Sequence, residues 1–418
     1  MTSSNQKYKS VMANKSFDVA IIGGGLSGLL AAIRLLRDGK QVVLIDKSLS
    51  LTRGSLGGFA SFSGAKFSLP PAGLGLVPLV GSLDVLDRKV EEILHELEIH
   101  NSQPIVSRDE TRGDESIEGE TVLRKYESIV LSPYEITRLL ERLSLKISGR
   151  CRVVNGTANK LTPRFGGWSI SVDSEIKDDA DILFADAVFY AAGRLSSDIL
   201  KRAGAEVKSG KGLDVGVRVE FLDKSALDGL RALGPDAKII NGTCRTFCLN
   251  SPGLIYRYPL DGVSIPGGIV ADSSEARGNV GLLVRVGEKA KQLQSILSAA
   301  KNSRNEMTSL AGELFNSVPF EARRQIVSEI LGSSTTAKLE SFCRHLDHLK
   351  LIDWSSPHHI HLPLIDWHWD TFAETASHRT SLRNVYALGD SSGHARGLLQ
   401  ASLSGWIAAE EYLNAEAK

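Results

Sequence analysis

The stretch from Phe17 to Asp46 constrains the fold of this chain more than any other part of the sequence. Phe17–Ile22 is a short apolar run rich in β-forming residues, which predicts a buried strand. The pattern Gly-x-Gly-x-x-Gly follows at positions 23, 25 and 28, and Leu29–Leu36 then has the apolar spacing of a helix. Gln41–Ile45 is a second apolar run that ends at Asp46. This order predicts one complete βαβ unit.

The three glycines and the acid predict a dinucleotide site at the end of the first strand. Gly23 permits a tight turn, Gly25 lets a pyrophosphate approach the backbone, and Gly28 lets the helix pack close to the sheet. The free N–H groups and the positive dipole end of the helix then face the phosphates. Asp46 can accept hydrogen bonds from the ribose of an adenosine. The alternative, a glycine-rich turn that binds nothing, leaves Asp46 without a role.

Composition narrows the class of protein and its partners. Lys plus Arg and Asp plus Glu both number 49 among 418 residues, so nothing indicates a nucleic-acid or anionic-membrane surface. No apolar run has transmembrane length, and residues 1–16 predict a disordered tail rather than a signal peptide. Four cysteines in a chain of this length do not suggest a disulfide framework, so a cytoplasmic location is the expectation.

Three further segments are rich in small residues where a cofactor would pass. Gly57–Lys66 would let the backbone run close to a flat, bulky group such as a flavin, although a surface loop is the alternative. The strand Ala187–Ala191 runs into Ala192-Gly193, and the strand Asn384–Leu388 runs into Gly389-Asp390. A strand that ends in a small-residue turn is expected where a sheet edge meets a nucleotide.

In order and spacing, the βαβ unit, Ala191-Ala192-Gly193 and Val385–Asp390 resemble the FAD-binding domain of the glutathione-reductase-type flavoprotein superfamily. This resemblance implies that Asp390 contacts the ribityl or phosphate part of FAD. It also implies that the following helix points its N-terminus at the isoalloxazine.

A closer resemblance is to the FAD-dependent dehydrogenase family. The segments that carry it are Gly57–Lys66, Val215–Glu220, Cys244–Cys248, Gly389–Gly393 and Arg396–Ala401. The sequence departs from that family after Cys248, where Leu-Asn-Ser-Pro-Gly replaces a stretch that tends to hold Cys and Gly. Cys244 and Cys248 are themselves too far apart in an extended strand to bridge, at roughly 13 Å, and are expected to be structural thiols.

Other segments predict the rest of the architecture. Residues 107–120 are polar with both charge signs and indicate a solvated or flexible insert. Ser132-Pro133-x-Glu135 has the capping pattern of a helix start. Leu213–Phe221 alternates like a strand, and residues 243–286 are dense in β-forming residues and turns. These patterns favour a second unit that is rich in β structure.

Residues 353–370 hold an aromatic and histidine cluster, for which we weigh two interpretations. One is a partly exposed aromatic and polar loop. The other places His359 or His361 at the flavin face, as a substrate-orienting group or a proton donor. No H-E-x-x-H or cysteine pattern accompanies these histidines, so no metal site is predicted.

The predicted fold class is α/β. A Rossmann-like FAD-binding domain, with a βαβ unit, a parallel sheet and a β-meander, is expected over residues 17–205 and 381–418, with a flexible insert at 105–120. A β-rich α+β substrate domain is expected at 206–380. The residues expected to bind FAD are Gly23, Gly25, Leu26, Ser27, Gly28, Asp46, Lys47, Gly58, Ala192, Gly193, Gly389, Asp390, Gly397 and Leu398.

The expected function is that of an FAD-dependent oxidoreductase, which passes hydride between non-covalent FAD and a small organic substrate. There is no second GxGxxG after a strand, so the candidate electron donors are NAD(P)H bound at the flavin, the substrate itself or a partner protein. Two alternatives stay open. One is a flavoenzyme with no net redox reaction, or one acting on a macromolecule such as tRNA, which the neutral charge balance disfavours. The other is a non-catalytic FAD- or NAD-binding sensor or subunit.

Overall fold

The computed structural model describes residues 16–47, 56–100, 115–174, 181–194, 198–302 and 324–417. The predicted tail lies outside this part except for Ser16. The strands are β1 Phe17–Ile22, β2 Val42–Asp46, β3 Lys66–Ser68, β4 Glu115–Glu118, β5 Thr121–Arg124, β6 Ser128–Val130, β7 Arg152–Arg164, β8 Gly167–Ser174, β9 Asp181–Tyr190, β10 Gly212–Phe221, β11 Lys238–Asn241, β12 Cys244–Asn250, β13 Gly253–Leu260, β14 Val263–Val270, β15 Gly278–Glu288, β16 His358–Trp367 and β17 Val385–Ala387. The helices are α1 Leu26–Arg37, α2 Val77–Val80, α3 Leu83–Glu96, α4 Pro133–Ile147, α5 Asp198–Arg202, α6 Asp228–Ala232, α7 Lys289–Asn302, α8 Arg324–Leu331, α9 Ser333–His348 and α10 Leu398–Glu416.

The first sheet contains the predicted βαβ unit. Its strands β7, β2, β1, β9 and β17 lie side by side in parallel, with Val19 opposite both Val42 and Ala187. Strand β8 runs antiparallel to β7 and β9 and completes a meander. β1 and β2 are apolar along nearly their whole length because both faces of a parallel sheet are covered. The carboxyl ends of β1, β9 and β17 therefore meet at one edge of the sheet.

Helices α1 and α10 pack against each other beside this sheet. Their approach is close, because a Cβ on Gly405 would lie 1.9 Å from the carbonyl oxygen of Ser27. Helix α4 begins at the capping box that the sequence predicts, with reciprocal side-chain and backbone hydrogen bonds between Ser132 and Glu135. These helices bury one face of the sheet and leave its carboxyl edge to the turns.

The second sheet has seven strands in the order β16, β10, β15, β12, β11, β5 and β4. Its central strand β10 is buried on both faces. Alternate residues point to opposite faces of a strand, and those of β10 divide sharply by polarity. Leu213, Val215, Val217, Val219 and Phe221 face the apolar core of this unit. Asp214, Arg218 and Glu220 face the other way and are also buried.

Two predictions need correction here. Glu115–Glu118 lies within the insert predicted at 105–120, yet it is a strand, and β4 and β5 extend the second sheet through β11. Residues 105–114 lie outside the described part. The segment interpreted as a partly exposed loop at 353–370 contains strand β16, which is buried along most of its length because it pairs with β10. Strand β5 pairs with β11 and β16 pairs with β10, so both segments are tied to the second sheet by partners that are distant in sequence.

A hairpin of β13 and β14 joins the two units. It lies over a short 3₁₀ segment, Gly58–Phe62, in the loop after β2. The rings of Tyr256 and Phe62 stack with centroids 4.5 Å apart, and the backbone N–H of Val270 donates to the carbonyl of Ser63 at 3.0 Å. The second loop of the FAD-type pattern is therefore covered by the β-rich unit.

Candidate functional site

The turn between β1 and α1 is built by backbone contacts that only glycine permits. A Cβ on Gly23, whose φ is +108°, would lie 2.4 Å from the carbonyl oxygen of Ala191 at the end of β9. A Cβ on Gly28 would lie 2.0 Å from the carbonyl oxygen of Gly23. The carboxylate of Asp46 accepts a hydrogen bond from the backbone N–H of Gly24 at 2.5 Å, which fixes the acid beside the turn.

Gly25 differs from its neighbours because it borders open space. A Cβ there would meet no atom within 4 Å, although the backbone, at φ −69° and ψ −178°, is one that any residue adopts. The loop after β2 returns to this point, since the N–H of Gly57 donates to the carbonyl of Gly24 at 2.8 Å and Gly58 lies against Gly25. The first turn and the second loop thus form one open cradle at the N-terminus of α1.

The turn after β17 joins the same cradle from the C-terminal part of the chain. A Cβ on Gly389 would lie 3.0 Å from the hydroxyl of Ser27. The N–H of Gly389 donates to Ser404 Oγ at 2.9 Å, and Ser404 in turn contacts His378 Nε2 at 2.9 Å. His378 Nδ1 lies 2.8 Å from the carboxylate of Glu411. Because a carboxylate can only accept, Nδ1 carries a proton that faces Glu411.

The turn after β9 lies beside the turn after β17, at the carboxyl ends of the strands of the first sheet. Gly193 has a φ of +70°, and its carbonyl accepts a hydrogen bond from Ser391 Oγ at 3.3 Å. Burial raises the pKa of the Asp390 carboxyl, and the charges of Arg194 and Arg396 only partly offset this effect. Asp390 is thereby less acidic than an exposed aspartate.

The remaining residues predicted to bind FAD lie at the ends of elements. Leu26 and Ser27 are buried in the first turn of α1, and Lys47 is exposed directly after β2. Ala192 is half-buried after β9. Gly397, with a φ of +114°, and Leu398 begin α10. The structure therefore places the predicted residues in six short segments, most of which meet at the carboxyl ends of the strands of the first sheet.

The second sheet presents a buried charged surface to this region. Asp214 and Asp366 are 3% and 5% exposed and share Arg245, whose Nη2 lies 2.7 and 2.6 Å from the two carboxylates. Arg285 also pairs with Asp214, and Arg396 donates to Asp366 at 2.9 Å. Burial acts to raise the pKa of Asp214, but the hydrogen bonds and charges of Arg285 and Arg245 outweigh it and lower this pKa.

Arg194 links this charged surface to the turn after β9. Its guanidinium lies over the rings of Trp367 and Trp369, 4.8 and 5.5 Å from their centroids. It also lies 3.9 Å from the Asp366 carboxylate and donates to the Tyr258 hydroxyl at 3.4 Å. Sequence reasoning missed Arg194 as a site residue, although its place directly after the Ala-Ala-Gly turn was a usable signal.

The histidine hypothesis concerns His359 and His361 on β16, of which only His361 is buried. Arg257 Nη2 lies 3.0 Å from His361 Nδ1, and Glu220 Oε2 lies 3.2 Å from His361 Nε2. Since a guanidinium can only donate, Nδ1 accepts and the proton lies on Nε2, facing Glu220. Burial lowers the pKa of His361, and the hydrogen bond and charge of Glu220 only partly offset this. His359 is half-buried, and its ring stacks on His361 at 6.2 Å.

Among the described helices, none combines the length and the hydropathy that crossing a membrane requires. Within the same ranges, no group of three or more His, Cys, Asp or Glu side chains is arranged to hold a metal ion.

The cradle geometry fits an adenine dinucleotide. Space is open at Gly25, where the pyrophosphate would lie, while Gly23 and Gly28 on either side are packed against backbone. The N-terminus of α1 faces that space, and free N–H groups there favour phosphate. Asp46, held beside the turn, is placed to accept from a ribose.

Comparison with known proteins agrees with this fit. Residues 18–139 match the family model described as FAD dependent oxidoreductase. A segment of 56 residues is 46% identical to the thiamine thiazole synthase of Desulfosudis oleivorans and covers 13% of this chain and 22% of that protein. The enzyme of the same name from Pyrococcus horikoshii is 39% identical over 56 residues, with the same coverage. The chain thus matches less than a quarter of the length of these curated relatives.

Solved structures resemble the chain at low similarity. The p-nitrophenol 4-monooxygenase of Pseudomonas putida is 15% identical, with a TM-score of 0.44 over 96% of this chain and 79% of that one. A geranylgeranyl bacteriochlorophyll reductase-like protein of Thermoplasma acidophilum is 13% identical, with a TM-score of 0.44 over 96% and 80%. The family match covers the turn between β1 and α1, Asp46 and the loop after β2. Residues 18–139 therefore carry the FAD-dependent oxidoreductase pattern, and FAD is the cofactor of this chain.

Proposed function

We propose that this protein is an FAD-dependent dehydrogenase, in which hydride passes between FAD and a small polar organic substrate. The substrate would lie between the turns of the first sheet and the charged surface of the second. FAD, when bound, supplies the two-electron chemistry, and the protein supplies position, electric field and exclusion of water. The glutathione-reductase-type relationship and the domain boundaries at 205/206 and 380/381 belong to the same proposal, with residues 115–124 of the first part contributing two strands to the second sheet.

Each part of FAD can be assigned to residues of the cradle. The segments of Gly23, Gly25, Leu26, Ser27 and Gly28 would hold the pyrophosphate, and Asp46 would bind the adenosine ribose, with Lys47 beside it. Gly58, Ala192, Gly193, Gly389 and Asp390 would line the path toward the flavin, which the N-terminus of α10 at Gly397 and Leu398 would face. A carboxyl whose pKa is raised by burial, as in Asp390, can also donate a hydrogen bond to a ribityl hydroxyl.

The buried charged face of β10 and β16 is the observation that supports a catalytic role. Charged side chains are almost never fully buried unless they are paired or functional. Here Asp214, Arg218, Glu220, His361 and Asp366 are each 8% exposed or less on one face of a sheet. A purely structural sheet face would be covered by apolar residues, as the opposite face of β10 is. This placement favours a polar substrate over an apolar one.

His361 would act through Arg257 rather than by direct proton transfer. Both of its ring nitrogens are engaged within the protein, so it holds the Arg257 guanidinium at a fixed position beside the hairpin. That guanidinium is a natural partner for an anionic or carbonyl group of a substrate. His359, stacked on His361 and half-buried, is the better candidate for a proton donor or acceptor.

The experiment that tests this function is an anaerobic titration of the purified, yellow protein. NADH and NADPH are added first, followed by a panel of small hydroxy and amino acids, and bleaching of the flavin absorbance reports reduction. We expect at least one substrate to bleach the flavin and Arg257→Met to slow that reaction without reducing flavin occupancy. A flavin that no donor reduces, and that does not reoxidise in air after chemical reduction, would instead favour a sensor or subunit.

A further inference from the structure

Cys248 lies at an irregular point of the second sheet. The pairing of β12 with β15 shifts register between Phe247 and Asn250, and Cys248 has a φ of +46° there. Bulges of this kind re-aim a side chain out of the regular alternation. The thiol is free and half-buried, and Asn250 Nδ2 lies 3.6 Å from its sulfur. The strand thus turns this one thiol toward a polar neighbourhood.

Two basic side chains, Arg218 and Lys66, lie beside that thiol, and the charge of Asp236 acts on both the thiol and Lys66. Burial lowers the pKa of Lys66, and the charges of Cys248 and Asp236 partly offset this effect. Arg218 is 1% exposed, and its Nη1 donates to the Cys248 carbonyl at 3.1 Å and to Asn279 Oδ1 at 2.7 Å. Arg218 Nε is buried and has no hydrogen-bond acceptor within the described residues. Lys66 Nζ donates to the carbonyl of Leu249, the residue after the cysteine. In the same ranges, neither cation forms an ion pair with a carboxylate.

A buried guanidinium without a counter-charge is costly, so this arrangement calls for an anion. The Sγ of Cys248 is the group in the cluster that can become one. Burial raises the pKa of this thiol, and the charge of Asp236 adds a smaller effect in the same direction, but the charges of Arg218 and Lys66 and the hydrogen bond from Asn250 outweigh both and lower the pKa. The other cysteines behave in the opposite way. Burial raises the pKa of Cys151 to about 12 and also raises the pKa values of Cys244 and Cys343.

We propose that Cys248 rests as a thiolate between Lys66 and Arg218 and is the site at which this chain reacts with small electrophiles, peroxides in particular. With hydrogen peroxide, a sulfur lone pair attacks one oxygen, an S–O bond forms and the O–O bond breaks. The sulfur is oxidised to a sulfenic acid that keeps the hydrogen of the transferred hydroxyl. The other oxygen leaves as hydroxide, so the peroxide is reduced. This proposal is independent of the substrate of the flavin.

The test measures alkylation of the full-length, flavin-loaded protein by iodoacetamide between about pH 5 and pH 9, since only the thiolate reacts. Mass spectrometry of the peptides gives a separate rate for each cysteine, so Cys151 is an internal control in the same sample. We expect the rate at Cys248 to reach half its maximum at least one unit below the ordinary thiol value of about 8.5. Cys151 should stay nearly unlabelled over this range.

Variants of Lys66 separate charge from packing. Lys66→Gln removes one cation and should raise the half-maximal pH at Cys248, while Lys66→Arg should restore it. Arg218→Gln should raise it further, but because Arg218 is fully buried this variant is informative only if its circular dichroism is unchanged. Because Lys66 is only half-buried, Lys66→Gln is expected to fold. The test is therefore decisive whether or not the Arg218 variant folds.

A second readout uses hydrogen peroxide followed by dimedone, which traps sulfenic acid. The adduct should form on Cys248 and be several-fold weaker in Lys66→Gln. A half-maximal pH at or above the ordinary thiol value, or one that Lys66→Gln does not move, would overturn the proposal. Neither result depends on whether a flavin substrate has been found, so a failed dehydrogenase assignment and a failed thiolate assignment remain distinguishable.

Discussion

The hydroxyl of Ser404 accepts the backbone N–H of Gly389 at 2.9 Å, which ties helix α10 to the turn that carries Asp390. Behind Ser404, the buried His378 and the carboxylate of Glu411 complete the chain of hydrogen bonds. Only Ser404 contacts the turn itself, and His378 and Glu411 hold Ser404 from behind, so the three side chains together determine where the third turn lies. A dinucleotide bound by segments from both ends of a chain is bound more tightly when each turn is already fixed, because ordering a mobile turn on binding costs free energy.

Ser404→Ala should therefore weaken both the fold and the cofactor site. The substitution leaves a buried N–H without an acceptor, which costs about 1–3 kcal/mol of unfolding free energy. The Gly389 turn then loses its fixed position, and the dissociation constant for FAD should rise. Denaturant unfolding and titration of the apoprotein with FAD measure the two effects.

Ser402→Ala is the matched control for this substitution. Ser402 is equally buried on the same helix, but its hydroxyl donates only to the carbonyl of Leu398, one turn earlier. That carbonyl belongs to the helix itself, so the loss should stay within about 1 kcal/mol, and FAD affinity should not change. Equal FAD affinity in the two variants would contradict a positioning role for Ser404.

Gly25→Ala should lower FAD affinity without lowering stability. The backbone at Gly25 suits any residue and the new Cβ meets no protein atom, so the unfolding midpoint of the apoprotein should be unchanged. The methyl group would occupy the space assigned to the pyrophosphate. A loss of roughly tenfold in affinity corresponds to about 1.4 kcal/mol, and Gly25→Val should lose more.

Gly28→Ala should show the opposite pattern. Its Cβ would lie 2.0 Å from the Gly23 carbonyl oxygen, so α1 must move away from the turn. Overpacking of this kind typically costs about 1–3 kcal/mol. Thermal unfolding of the apoprotein should therefore shift for Gly28→Ala and not for Gly25→Ala. Full flavin occupancy in Gly25→Val would disprove the assignment of the first turn.

Asp214→Asn should be strongly destabilising because it leaves Arg245 and Arg285 around a neutral amide. Removal of one partner from a buried ion-pair network costs about 3–5 kcal/mol. Arg285→Gln is the control, since the Arg285 side chain is 49% exposed and its loss should cost about 1 kcal/mol or less. Denaturant midpoints at neutral pH compare the two. Similar losses for both variants would show that Asp214 is not the centre of the network.

His361 predicts a pH dependence of stability. Its folded-state pKa is lowered by burial, so below about pH 6.5 the unfolded chain binds a proton at this position more readily than the folded chain does. Stability is therefore fully present above that value and is lost as the pH falls through the folded pKa. We expect the thermal midpoint of the wild type to fall as the pH is lowered from about 7 to 5.

His361→Gln should reduce this fall. The change should be small at about pH 8, where the imidazole is neutral in both states, apart from any loss of the hydrogen bond to Glu220. His358, His368 and His394 also have lowered pKa values, so the variant should keep part of the dependence. An unchanged slope would mean that His361 does not titrate as its burial implies.

Local sequence patterns predicted those parts of the fold whose structure is determined by residues close together in the sequence. The bounds of β1, the capping box at Ser132 and the close packing at Gly28 follow from sequence spacing alone. The order of the three small-residue turns was also visible in the sequence, and the resemblance to an FAD-binding domain related them to one cofactor site. The match of residues 18–139 to FAD-dependent oxidoreductases confirms the general class, while the individual cofactor contacts stay predictions.

Sequence reasoning failed where distant segments decide the structure. His358–Trp367 is a strand because β10 pairs with it, and nothing within the segment itself indicates that partner. His378 gave no local signal, since its role depends on Ser404 and Glu411 in a helix further along the chain. Cys248 was expected to be structural because its cationic neighbours, Lys66 and Arg218, are brought to it from other strands.

Strand β5 also has a consequence for synthesis on the ribosome. Thr121–Arg124 pairs with Lys238–Asn241, and the Thr121 hydroxyl contacts both Asn241 and His345. At about 5–20 residues per second, the nascent chain must hold this strand without its partner for many seconds. The β-rich unit draws strands β4 and β5 from the part of the chain before residue 206, so a gene fragment that begins there would lack them and would leave the edge of β11 uncovered and prone to aggregation.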